Sequence, residues 1–159
     1  MKKRTAAVLF AAALGTAAMP VCAAENTESR KTIINAKVNS SYTLTIPAAT
    51  TIVFGRTSTD LNGVLKVSGN VDVGEKVTVT ATPKALKNNS HNEELPYSLM
   101  NGETAFTTAK WSETELRAGL ESTKAGKKFQ LSVAITKEAW AAAKAGSYEG
   151  SITFEAELK

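Results

Sequence analysis

The chain has 159 residues and a formal net charge of +4, from 19 Lys and Arg against 15 Asp and Glu. Three of these cations, Lys2, Lys3 and Arg4, stand together at the N-terminus, so 16 cations face 15 acidic residues in the rest of the chain. This balance gives no electrostatic case for binding nucleic acid or an anionic membrane surface. The single cysteine, Cys22, lies in the same N-terminal region, which excludes a disulfide scaffold or a cysteine-based metal site further along.

Residues 1–24 are predicted to be a secretory signal peptide. The three cations precede an apolar run over residues 5–19, which Pro20 ends, and small residues follow at Ala23 and Ala24. The run is too short for a membrane span. We therefore predict cleavage after Ala23 or Ala24, a secreted or cell-surface location, and no insertion in a membrane. The remaining chain of about 135 residues has the size of one domain.

Residues 25–31 are polar and without period, so they are predicted to be a flexible leader, and residues 32–159 a single domain. Four segments of that domain have a two-residue period, with one apolar face and one face that is mostly polar. These are Tyr42–Ile46, Lys76–Thr82, Phe129–Thr136 and Ser151–Leu158. A two-residue period with one apolar face predicts antiparallel strands that are covered on one side.

Weaker strands are predicted between the strong ones, with turn residues separating them. The weaker strands are residues 32–38, 51–55, 64–68, 97–100 and 105–110. The turn signals are Pro47, Asp60–Gly63, Gly69-Asn70, Gly74, Asn88–Asn92 and Asn101-Gly102, the last of which predicts a hairpin. Closely spaced strands of this kind predict an all-β fold, specifically an immunoglobulin-like antiparallel β-sandwich.

Two short helical turns are predicted to interrupt the strands. Ser112 and Glu115 have the spacing of a capping box, and Gly119 is predicted to stop that turn. Thr136 is predicted to cap a second turn over residues 137–144, which Gly146 ends.

No set of residues in the sequence predicts catalysis, a metal site or a cofactor. His91 is the only histidine and stands in a polar stretch without a nucleophile or an orienting acid to accompany it. Asp60–Gly63 resembles the start of a calcium loop but lacks the further oxygen ligands and closing glutamate. Glu93 and Glu94 are adjacent, so on a strand their carboxylates face opposite sides and cannot act as a pair. We therefore predict that the protein is not an enzyme.

The aromatic residues are mostly predicted to lie in the core, because they occupy the apolar face of the strands. Trp111 and Trp140 are the two exceptions. If exposed beside polar groups, they would be candidates for a ligand-binding surface.

The C-terminal segment presents one continuous face. It consists of Tyr148, Gly150, Ile152, Phe154, Ala156 and Leu158. The gap in that face at Gly150 could admit a neighbour's side chain or a close backbone. The strand is predicted to lie at a sheet edge, where a regular apolar face is a template for pairing with another chain.

This pattern resembles the C-terminal strand of chaperone–usher pilins, with matches at Gly146, Ile152, Phe154, Ala156 and Leu158. The chain is most similar to the cysteine-free pilins of the colonisation-factor-antigen (alpha) class, which residues 95–116 and 145–150 resemble. In that family a strand from the next subunit completes an incomplete immunoglobulin-like sandwich. The resemblance implies that residues 31–38, including Ile33, Ala36 and Val38, take the position of the donor strand.

Two functions are predicted. The first is a non-enzymatic surface or structural subunit of the pilus or adhesin kind, which assembles by strand exchange with itself or with other surface proteins. The second is a monomeric secreted module that binds a glycan, a cell-wall component or a host ligand through Trp111 or Trp140. A secreted hydrolase is the least supported alternative.

Overall fold

The computed structural model describes residues 31–88, 90–121, 123–124 and 126–159. The predicted signal peptide and the leader as far as residue 30 lie outside the described residues. Residues 37–159 form one compact unit. Residues 31–36, taken by themselves, are exposed and contain no strand.

Short antiparallel strands are the main regular structure of the described chain and only two short helices accompany them, which confirms the predicted all-β class. The strands are β1 (Ser41–Thr45), β2 (Ser58–Asp60), β3 (Leu65–Asn70), β4 (Lys76–Pro83), β5 (Leu86–Asn88), β6 (Glu93–Leu95), β7 (Ser98–Asn101), β8 (Thr104–Ala105), β9 (Thr108–Ser112), β10 (Lys128–Phe129), β11 (Leu131–Ala134), β12 (Tyr148–Glu149) and β13 (Ile152–Leu158). The helices are α1 (Glu113–Ala118) and α2 (Lys137–Ala142).

The strands form four antiparallel sheets. Their strand orders are β1-β3-β10, β2-β11-β7-β8, β12-β5-β6 and β13-β4-β9. The C-terminal strand β13 therefore lies at the edge of its sheet, next to β4 alone among the described strands.

The apolar face of the β13-β4-β9 sheet supplies much of the core. Leu158 pairs with Val77, and Val77 pairs in turn with Trp111, so these three side chains form one row across the sheet. Val77 and Trp111 have no exposed surface. The strict alternation in the sequence of β4 produces this arrangement, because every second side chain of a strand points to the same face.

Both predicted helix starts are confirmed. The Ser112 hydroxyl accepts a bond from the backbone N–H of Glu115, and the Glu115 carboxylate accepts one from the backbone N–H of Ser112 at 2.8 Å. Thr136 caps the second helix by accepting from Ala139 N–H at 3.1 Å. That helix ends at Ala142, two residues earlier than predicted. The hairpin at Asn101-Gly102 is also confirmed, with β7 and β8 paired across it.

Several predicted elements differ from the structure, including the strand at residues 105–110, which is divided between β8 and β9. Residues 32–38 and 51–55 contain no strand. Gly69-Asn70 is not a turn but the end of β3, because the missing side chain of Gly69 admits the backbone of β1. The predicted strand at residues 129–136 is interrupted at Gln130, whose side-chain amide donates to the Leu61 carbonyl at 2.8 Å.

Candidate functional site

The free edge of β13 is the first component of the site. Lys76 and Lys159 exchange both backbone hydrogen bonds, at 2.7 and 2.9 Å. Bonded and non-bonded pairs alternate along an antiparallel ladder. Odd-numbered residues of β13 therefore bond to β4, and even-numbered ones direct their N–H and C=O groups away from it. The C-terminal residues singled out in the sequence, Ile152, Phe154, Ala156 and Leu158, are the ones that form this edge.

The side chains of the same four residues turn inward. Each is half-buried and packs against the core, whereas Thr153, Glu155 and Glu157 between them are exposed. The strand thus has an apolar inner face, an acidic outer face and an open backbone edge. An incoming strand could form both a ladder and an apolar contact here.

A second wall faces this edge at a short distance. The Tyr42 hydroxyl, on the edge strand β1, donates a hydrogen bond to the Ala156 carbonyl at 3.1 Å. Further along, residues 46–50 and Ile52 line a cavity of about 270 Å³ together with Ile152 and Phe154. The chain after β1 therefore runs beside β13 with a gap between them.

The gap continues into a wider cavity of about 830 Å³. The two cavities share residues 49–50 as well as Ile52, Leu86 and Gly150, so they form one groove. We call it the terminal groove, bounded by residues 46–54 on one side and 146–154 on the other. Its lining includes three almost fully buried core residues, Leu61, Leu95 and Val133. The groove therefore opens onto the apolar core.

A β-bulge shapes the wall of the groove that contains β12 and β13. Ile152 stands opposite Pro83, and Glu149 stands opposite Lys87. Two intervening residues on one strand therefore face three on the other, which is the definition of a bulge. The extra residue lets a single terminal strand pair with β4 in one sheet and with β5 in another.

Gly150 lies at this bulge. A Cβ on Gly150 would lie 2.9 Å from the Leu86 side chain and 3.1 Å from the Lys84 carbonyl oxygen. The gap that the sequence shows in the C-terminal apolar face is thus filled by the chain's own backbone. Gly150 therefore allows the close approach of this strand to Lys84 and Leu86.

Asn88 holds the turn that precedes β12. Its side chain is buried, with its amide near the Ala145 carbonyl at 3.5 Å and its carbonyl accepting from Ser90 N–H at 3.0 Å. A Cβ on Gly146 would stand 2.5 Å from the Asn88 amide nitrogen. Gly146 is therefore required for packing on Asn88.

This turn also carries an ion pair at the mouth of the wide cavity. Lys144 forms an ion pair with Glu93 of β6. The hydrogen bond that Lys144 donates to the Glu93 carboxylate raises the pKa of Lys144 above its ordinary value. Tyr148 donates from its hydroxyl to the Lys144 carbonyl at 3.0 Å, which fixes its ring beside the cavity.

Trp140 and Phe54 stand at the wide end of the terminal groove. Their rings meet edge to face, with centroids 5.3 Å apart, and Phe54 is 78 % exposed. The Trp140 ring N–H donates to the Arg56 carbonyl at 2.8 Å, so the ring has a fixed orientation. Trp140 is therefore the predicted ligand-binding residue that the structure brings to a surface.

Trp111 is not at a surface. It has 0 % exposure, its ring N–H donates to the Lys127 carbonyl at 3.1 Å, and Phe129 packs edge to face on it. With no ring face open to a ligand, Trp111 is a core residue.

The predicted donor residues are exposed. Ile33, Ile34 and Val38 have 73, 89 and 78 % of their surface accessible, and Ala36 is exposed as well. His91 lies in an exposed turn. Within the described ranges, no three His, Cys, Asp or Glu side chains are grouped as a metal site would need. In the same part of the chain, neither helix is long and apolar enough to cross a membrane.

Residues 46–54, one wall of the terminal groove, were not identified as functional from the sequence. Ile46, Val53 and Phe54 are exposed large apolar residues in this segment. The sequence feature that could have indicated this wall is the group of apolar residues after Pro47, which does not alternate strictly with polar ones.

No protein-family model matches the chain, and no match is found among curated proteins.

Proposed function

We propose that this protein is a non-enzymatic extracellular structural subunit, of the pilus or adhesin kind, which assembles by accepting a strand from another copy. The observation that supports this best is the open backbone edge of β13 beside an apolar groove. An exposed edge of this kind is normally shortened, charged or covered, since it invites pairing with another chain. Here it runs over seven residues, with apolar side chains on its inner face.

Residues 31–38 of a second copy are the proposed occupant of the terminal groove. Ile34, Ala36 and Val38 alternate, so a strand over this segment would turn all three toward the groove, whereas Ile33, which the resemblance includes in the donor strand, would face outward. The same strand would turn Lys31 and Lys37 outward. There they would approach the exposed Glu155 and Glu157 of β13, and opposite charges on neighbouring strands are favourable.

The added strand would lie between the edges of β1 and β13 and cover the part of the core that the groove exposes. An immunoglobulin-like sandwich that lacks one strand is the architecture most consistent with this arrangement. The backbone ladder supplies affinity in such complexes, and the alternate side chains supply specificity.

Engineered disulfides test the proposal directly. After removal of the predicted signal peptide the chain has no cysteine, so every disulfide formed is an engineered one. Val38→Cys would be combined in turn with Phe154→Cys, Ala156→Cys and Leu158→Cys. We expect at least one pair to give a ladder of covalent oligomers on non-reducing gels under mild oxidation, because paired strands bring Cβ atoms within disulfide range.

The control combines Val38→Cys with Glu155→Cys. Glu155 faces outward, so a residue on the inner face of the donor strand cannot reach it. A disulfide within one chain would show that the chain fills its own groove and would contradict assembly between copies. Equal cross-linking in the control, or no cross-linking at all, would also contradict the proposal.

A monomeric module that binds a glycan is the second candidate. The observation that favours it is the Phe54–Trp140 pair at the wide end of the groove, because aromatic rings beside polar groups suit a sugar surface. A glycan array with the wild-type protein, Phe54→Ala and Trp140→Ala decides it. Binding that both changes abolish would favour this function, and binding that ignores both would remove it.

A further inference from the structure

Tyr42 is placed to control access to the free edge of β13. Its hydroxyl oxygen lies 3.1 Å from the Ala156 carbonyl oxygen. A strand added to a sheet lies about 4.8 Å from its neighbour. The hydroxyl therefore stands in the space that the backbone of an incoming strand would occupy.

The Ala156 carbonyl, which accepts this bond, is one of the groups that an added strand would use for pairing. Ala156 is an even-numbered residue of β13, so its C=O points away from β4 and belongs to the open edge. It lies near the middle of the edge formed by Ile152, Phe154, Ala156 and Leu158. A strand could not pair along the whole edge without displacing the Tyr42 hydroxyl.

The backbone of β3 fixes the position of Tyr42. Tyr42 pairs with Gly69, and a Cβ on Gly69 would lie 2.7 Å from the Tyr42 Cα and 2.8 Å from its Cβ. Only glycine allows β1 to approach β3 this closely. The close approach sets the distance between β1 and β13 that the Tyr42 side chain spans.

We propose that Tyr42 is a guard of the strand-acceptor edge, a proposal that rests on the proposed function. In the free chain its hydroxyl occupies the central acceptor of β13 and slows the addition of a strand. A strand whose own N–H can replace the hydroxyl at Ala156, and whose apolar face fills the groove, displaces it. The guard thus protects the edge from indiscriminate pairing and leaves it open to the correct strand.

The test uses a fluorescent peptide of residues 31–40 as the incoming strand and the full mature chain, at high dilution, as the acceptor. Association is followed by fluorescence anisotropy. We expect Tyr42→Phe to bind the peptide about fivefold faster than the wild type, the factor that one neutral hydrogen bond contributes. Tyr42→Met, which also lacks the hydroxyl, replaces the Phe variant if circular dichroism shows the latter to be unfolded.

Tyr97→Phe is the matched control. The Tyr97 hydroxyl also donates to a backbone carbonyl, that of Ser151 at 3.2 Å, but this carbonyl already accepts from Lys84 N–H inside the sheet. We expect no change in the association rate for this variant.

Three results are decisive. Faster association of the Tyr42 variant alone supports the guard. Equal rates for Tyr42→Phe and the wild type overturn the guard while the acceptor edge stands. Failure of the peptide to bind either protein overturns both the guard and the proposed function, because the unguarded edge then still accepts no strand.

Discussion

The side-chain amide of Asn88 occupies the space in which a side chain on Gly146 would begin. The amide nitrogen lies 2.5 Å from the position of a Cβ on Gly146. Gly146 also has φ +145°, a conformation that residues with a side chain rarely adopt. The start of β12, and with it one wall of the terminal groove, depends on this contact.

Gly146→Ala should destabilise the protein through both strain and overlap with Asn88. We expect a loss of about 2–4 kcal/mol in the free energy of unfolding, measured by urea denaturation. Gly55→Ala is the matched control, because Gly55 has φ +79° and nothing within 4 Å of its Cβ position. It should lose only the strain component, about 1 kcal/mol. Equal losses for both variants would show that Asn88 is not the obstacle.

Proline substitutions should distinguish the two edges of β13. Ala156→Pro removes an N–H that points away from β4, so the chain should fold with a loss of about 1 kcal/mol or less. Glu155→Pro removes an N–H that bonds to β4, so the loss should be about 3 kcal/mol or more. Circular dichroism during denaturation measures both. Under the proposed function, Ala156→Pro should also prevent oligomer formation in size-exclusion chromatography. Oligomers as abundant as in the wild type would contradict strand addition at this edge.

The carboxylate of Glu115 should make stability depend on pH. Burial pushes its pKa upward, but the backbone N–H of Ser112 and the ammonium of Lys127, 3.0 Å away, lower it below the ordinary value of 4.5 overall. A group whose pKa is lower in the folded state stabilises the fold above its ordinary pKa, and this contribution is lost as the pH falls through the lowered one.

Glu115→Gln should therefore be less stable than the wild type at pH 7, by about 0.5 kcal/mol for a partly exposed pair. The difference should disappear as the pH falls below 4.5. Urea denaturation over that range measures it. In a Lys127→Met background the difference at pH 7 should be smaller. An unchanged difference there would show that Lys127 does not contribute.

The two tryptophans should respond differently to the same substitution. Trp111→Phe leaves a cavity in the core and a Lys127 carbonyl without its donor, so a loss of about 2–4 kcal/mol is expected. Trp140→Phe, at the rim of the terminal groove, should cost about 1 kcal/mol. Thermal and urea unfolding measure both. A larger loss for Trp140→Phe than for Trp111→Phe would contradict the assignment of Trp111 to the core and Trp140 to the groove rim.

The strand periods and caps were predictable because they depend on local sequence. Ser112 and Glu115 satisfy each other within one turn, and the alternation around Val77 needs only a covered face to produce a buried strand. The inward face of β13 followed from the same alternation. For these elements local preference and tertiary packing agree.

Other features depend on residues that are far apart in the chain. Gly69 reads as a turn residue, but its role is set by Tyr42 in a neighbouring strand. Asn88 reads as part of a polar loop and is buried because Gly146 packs on it. The terminal groove was not predictable, because it requires residues 46–54 to lie beside residues 146–154, and neither segment encodes the position of the other.

The bulge between Pro83 and Leu86 has a consequence for the length of the chain. Before it, the core-facing residues of β4 are odd-numbered, as at Val79 and Ala81, and after it those of β5 are even-numbered, as at Leu86 and Asn88. Removal of one residue here would turn Leu86 and Asn88 to solvent, while two could be gained or lost without reversing any side chain. The number of residues in this short connection, more than their identity, therefore constrains how the sequence can change.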